Sequence, residues 1–165
     1  METSSLLLTV SQLAVGLAGF SAVIVTLNPR PIKEWDVTDR LNLRSLVQVS
    51  FVVLFFSLFP FLLGISLSDE QVWLYGLWLY GVLHFVDVLS FLIKQTSETP
   101  TIMRYIAYGG VVIAIGQVIV AWQGNDNLRE LIYAATLVWH LYVVFMSFLM
   151  LLYQMRNTRG GSGAD

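Results

Sequence analysis

Residues 43–93 read LRSLVQVSFVVLFFSLFPFLLGI-SLSDEQ-VWLYGLWLYGVLHFVDVLSFLI, two long apolar runs parted by six mostly polar residues. A bilayer core of about 30 Å needs roughly 20 apolar helical residues, and both runs, 43–65 and 72–93, meet that length. The connection is too short for anything but an antiparallel helical hairpin. Ser68 and Gln71 have the spacing of a capping box at the start of the second run. Thr38 or Asp39 is placed to cap an amphipathic lead-in to the first, which carries Arg40 and Arg44 one turn apart. Pro60 sits inside the first run, where the missing N–H frees a backbone carbonyl, so a neighbouring helix is expected to satisfy it.

Outward from this hairpin the same pattern repeats. Residues 6–27 hold no ionisable side chain and end at Asn28-Pro29-Arg30-Pro31. They lack a basic n-region and an A-x-A site, and are read as a retained span rather than a signal peptide. Residues 102–122 follow Thr99 as N-cap and Pro100 at N1, and residues 131–153 follow Asn125-Asp126-Asn127. The expected fold is therefore all-α: one transmembrane domain, 1–155, of five helices in a bundle, with 156–165, rich in Gly, as a flexible tail. Composition agrees, because 56% of the 165 residues are hydrophobic and 12% charged, against roughly 45–50% and about 25% in soluble domains. The net charge is −2 with nine scattered Lys and Arg, which leaves no basic stripe for nucleic acid. The absence of cysteine removes disulfides, thiolate metal sites and cysteine nucleophiles.

Charge is sorted along the chain. Arg30, Lys33, Arg40, Arg44, Lys94, Arg104, Arg156 and Arg159 fall on one side of the expected topology and only Arg129 on the other. Cytoplasmic flanks retain positive charge, so the N-terminus is expected outside and the C-terminus in the cytoplasm. Trp73, Trp78, Trp122 and Tyr133 mark the outer interface, Trp35, Tyr105 and Tyr153 the inner one. The loops leave no room for a soluble catalytic domain.

Small residues at helical spacing let membrane helices approach closely. Ala14, Ala18 and Ala22, with Gly16 and Gly19 nearby, and Gly109, Gly110, Ala114 and Gly116 make spans one and four the helices expected to pack tightly, within one chain or between copies. A faint echo between residues 43–53 and 103–113 suggests a parallel repeat of spans two-three and four-five.

Three ionisable side chains fall deep inside apolar spans: His84, Asp87 and His140. Such residues are costly in hydrocarbon and mark functional candidates. Tyr80, His84 and Asp87 share one helical face, as do Tyr133, Thr136, His140, Ser147 and Gln154. At about 1.5 Å per residue, His84 lies roughly 20 Å from the outer boundary and His140 roughly 18 Å, at one level. The first reading is that the three satisfy one another, with Arg44, Tyr80 and Gln117 as partners, and fix helix register. The second is a small proton or ion channel with Gln117, Gln48 and Gln12 as further lining. The third is a haem b or metal site with His84 and His140 as ligands. No nucleophile elbow or phosphate loop points to an enzyme, and no metal or cofactor is expected on the first reading.

LAVGLAGFSAVIV at 13–25, Trp35, Asp39-Arg40-Leu41-Asn42-Leu43-Arg44 and LFFSLFPFLLG at 54–64 resemble a group of small bacterial multi-pass inner-membrane proteins. The resemblance implies a bacterial inner membrane and carries no activity. The expected role is that of an integral membrane protein, structural or accessory and self-associating, with the bilayer, a second copy or another membrane protein as partner.

Overall fold

Every long apolar run becomes one helix. In the computed structural model, which describes residues 2–28, 31–95, 97 and 99–160, with side chains in 3–28, 31–95, 97 and 99–153, the helices are α1 Glu2–Leu27, α2 Val37–Leu63, α3 Asp69–Lys94, α4 Thr101–Gln123 and α5 Asp126–Gly160. A single 3₁₀ turn, Ile32–Glu34, lies between α1 and α2. All five helices are long and apolar enough to span a membrane. Large apolar side chains cover the outside, among them Phe51, Leu62, Ile65, Val112 and Trp122, a surface suited to lipid and not to water.

Local chemistry sets the ends. The Ser68 N–H donates to Gln71 Oε1 (3.2 Å), the side-chain-to-backbone half of the expected capping box. Asn125 Oδ1 accepts from Leu128 N (2.9 Å) and caps α5. α2 starts behind Asp36 rather than Thr38 or Asp39, since the lead-in is helical from Val37 onward. α4 has Pro100 at its N-cap, one residue later than expected. α5 runs to Gly160, so the backbone from Arg156 to Gly160 is helical where a flexible tail was expected: no Gly or Pro interrupts it before Gly160. Residues 161–165, Arg30, and the side chains of Gln154, Arg156 and Arg159 lie outside what is described.

Pro60 lies inside α2, and the carbonyl it leaves without a helical donor is that of Phe56. The Tyr133 hydroxyl donates to this carbonyl from α5 (2.6 Å). Tyr133 is therefore a fully buried core residue and not the interfacial anchor expected of it; Trp35, 3% exposed, is likewise taken into the core, beside Ile24, Leu46, Val144 and Leu151. Trp78, Trp122, Tyr105 and Tyr153 do face outward.

Of the two helices expected to pack tightly, α4 does so through its small residues and α1 only at Ala14. α4 lies chiefly on α3, α1 lies on α2 and α5, and α5 joins the two groups. The stripe Met103, Ala107, Gly110, Ala114, Gln117 and Ala121 is the buried face of α4. It meets Gly81 of α3, where a Cβ would come within 2.9 Å of Gln117 Cβ and 3.3 Å of the Val118 backbone. Gly16, Gly19 and Gly116 instead point into open space, and of the α1 alanines only Ala14 is buried. Spacing alone marks small residues; it does not tell which helix they will meet.

Candidate functional site

α2 and α3 follow each other in sequence but are not the main packing partners of one another. The fully buried residues of α3, Val72, Gly76, Leu77, Tyr80, Gly81 and His84, end at His84, and beyond it the helix is only partly covered, with Val88 against Gly110 of α4. The space left between α2, α3, α4 and α5 is a crevice of about 220 Å³. Its walls run from Arg44 and Lys94 at one end of the bundle to His84, Gly110 and His140 inside.

The inner end is built from pairs across helices. The His84 and His140 rings meet edge to face with centroids 4.3 Å apart, the common level expected from their depths. His140 Nδ1 donates to the Thr136 carbonyl one turn back (3.0 Å) and lies 2.9 Å from the Tyr80 hydroxyl. His84 Nδ1 donates to Gln117 Oε1 (2.9 Å); Gln117 is fully buried and its Nε2 has no partner. Gly110 makes room here, because a Cβ would sit 3.3 Å from His84 Nε2 and 3.0 Å from Val88.

Asp87 departs from expectation. It is exposed and is not one of the buried group. Its carboxylate accepts from Gln48 Nε2 (2.9 Å), and Gln48 Oε1 accepts from Arg44 Nε (3.3 Å). Arg44 thus reaches Asp87 through Gln48 rather than directly. Both line the crevice with Ser45, whose hydroxyl accepts from Ser147 of α5 (3.2 Å). Gln12 lies on the exposed face of α1 and does not line the crevice.

Sequence spacing missed the aromatic cluster above this site. Tyr80 stacks on Phe56 at 4.1 Å and meets Tyr133 edge-on at 5.4 Å; Leu77, Leu137 and Val53 complete a group with no more than 3% exposure. The one available signal was Pro60, which called for a donor without naming it. The imidazole rings are in van der Waals contact, so no porphyrin fits between them as a bis-histidine haem requires. Among the described residues no three His, Asp or Glu side chains converge as metal ligands would.

Comparison of the chain with known protein families, characterised proteins and solved structures finds no match.

Proposed function

We propose that the chain is a multi-pass protein of the bacterial inner membrane, N-terminus outside and C-terminus cytoplasmic, with a structural or accessory role and no conduction of its own. The observation that carries this reading is the blind end of the crevice. It enters from the basic end of the bundle and, with a second cavity between α2 and α3, reaches His84, His140, Tyr80 and Phe56, beyond which Leu77, Tyr133 and Leu137 are packed at 0% exposure. A conducting path needs polar lining or water through both halves, and this half is closed by stacked rings. The polar groups pair within the chain, as register-fixing residues do. The bias of basic residues to one side supports the orientation, and the resemblance of residues 13–64 to bacterial inner-membrane proteins supports the location. Self-association belongs to the same proposal, since the open-faced Gly16 and Gly19 of α1 let a second helix approach.

Reconstitution in liposomes with an internal pH dye tests the role. Proton and potassium flux should equal that of empty vesicles. A pH-dependent flux abolished by His84→Ala or Asp87→Asn would replace this reading with the channel one, in which the Arg44–Gln48–Asp87 chain leads to the histidine pair. Reporter fusions at the C-terminus test the topology: activity of a periplasmic reporter there would overturn it. Light scattering of the detergent-solubilised chain reads its oligomeric state.

A further inference from the structure

We propose that the crevice is a binding site for a membrane-soluble phenol or hydroquinone, whose ring enters between α2 and α3 and whose hydroxyl donates to the His84–His140 pair. This goes beyond the accessory role and rests on the blind crevice described above.

The hydrogen-bond polarity of the inner end selects the ligand. With its proton on Nδ1, shared between the Thr136 carbonyl and the Tyr80 hydroxyl oxygen, His140 presents Nε2 as a bare acceptor. The same tautomer of His84, with Nδ1 donating to the Gln117 oxygen, leaves a second acceptor. Both residues line the crevice, and Asp87 beside them is acceptor-only when ionised. A group bound against the two imidazoles therefore donates to them, the charged donors Arg44 and Lys94 lining the other end of the crevice. A ketone, an ether or an anion finds no donor on either imidazole and meets a carboxylate. A metal cation finds two imidazoles with no third converging ligand, behind Arg44 and Lys94.

Walls and size narrow the class further. Phe91, Ile106, Trp139, Val143, Met146 and Met150 flank the space, and aromatic and thioether side chains pack well on a ring. A buried cavity of about 150 Å³ accepts benzene, so about 220 Å³ holds one ring with small substituents and no fused system. The route is lateral. A second cavity between α2 and α3 shares Val49, His84, Asp87, Ser90 and His140 with the first and is bordered by Leu83 and Val86, which are 47% and 52% exposed on the lipid-facing side of α3. A ring in the crevice can thus keep an apolar tail among the lipid chains, the arrangement of an alkyl-substituted phenol.

The test uses the full chain in lipid nanodiscs, titrated calorimetrically with para-butylphenol and with its methyl ether, empty nanodiscs serving as blank. The phenol should bind saturably and the ether at least about tenfold more weakly, the loss of one hydrogen bond to a buried acceptor. His140→Phe, which keeps a ring and removes the acceptor, should weaken the phenol about tenfold and leave the ether unchanged. Val143→Trp, which fills the space and spares the imidazoles, should abolish both. Equal binding of phenol and ether, or no saturable binding of the phenol to the native chain, would overturn the assignment. The ether comparison needs no variant, so misfolding cannot decide it. Flux through liposomes is measured separately, so failure of the site leaves the accessory reading standing, and conduction would refute that reading while the site stands.

Discussion

The bond from Tyr133 to Phe56 can be removed without disturbing anything around it. Tyr133→Phe keeps the ring that packs on Tyr80 and Trp73 and deletes only the hydroxyl that donates to the Phe56 carbonyl at 2.6 Å. That carbonyl lost its helical donor to Pro60, and Tyr133 is fully buried, so no water replaces the bond. An orphaned buried acceptor costs about 1–3 kcal/mol, while hydrogen bonds in membrane bundles average about 0.6 and reach about 1.7 kcal/mol. The absence of an alternative partner puts this one toward the upper membrane value, about 1.5 kcal/mol. For a chain of this size that corresponds to roughly 3–6 °C of melting temperature, read by circular dichroism in detergent. The decisive comparison is Pro60→Ala, which restores a backbone N–H to the same carbonyl. In that background Tyr133→Phe should cost less than half as much, since the acceptor remains satisfied. An equal loss in both backgrounds, or no loss in the native one, would refute the idea that the tyrosine repairs the proline break.

Other outcomes follow from the same packing. Gly81→Ala should destabilise by about 1–2 kcal/mol, because the added methyl meets Gln117 and the Val118 backbone and overpacking outweighs the gain of about 1 kcal/mol in helix propensity; Gly16→Ala, with nothing within 4 Å, should be neutral or stabilising by up to about 1 kcal/mol. Opposite signs in thermal melts are the result to look for. Asp87→Asn should shift stability by less than about 0.5 kcal/mol, since the side chain is exposed and its partner Gln48 can still donate; a loss several times larger would make Asp87 a structural residue after all. Arg129→Ala should cost about 1–2 kcal/mol, because the buried guanidinium donates to the Ala121 carbonyl at the end of α4 and pairs with Asp126, a change visible as earlier amide exchange at that end.

The helices were legible in the sequence because hydrocarbon imposes a length. A run that must satisfy its own backbone over about 30 Å has to be helical, and the residues that end it, Asn28-Pro29, Ser68-Asp69 and Thr99-Pro100, carry their own chemistry. The level of His84 and His140 was legible for the same reason: rise per residue is constant, so two imidazoles on helices running the same way, at similar distances from their starts, meet.

Which faces meet is another matter, because lipid is as apolar as the bundle interior. The pattern that sorts a soluble helix into inside and outside is missing, and α1, with Gly16 and Gly19 turned outward, reads much like α4, with Gly110 and Ala114 turned inward. Only the assembled bundle pairs α3 chiefly with α4 rather than α2, leaves Asp87 exposed with Gln48 between it and Arg44, and leaves the crevice among α2, α3, α4 and α5. Sequence alone thus determined that five helices of this chain can span a membrane and that two histidines share a depth. The tertiary structure decided that the space beside them is open at the basic end and between α2 and α3 and closed by Tyr80, Phe56 and Tyr133 at the other end, because side-chain packing between helices, unlike backbone length, leaves no periodic signature in an apolar chain.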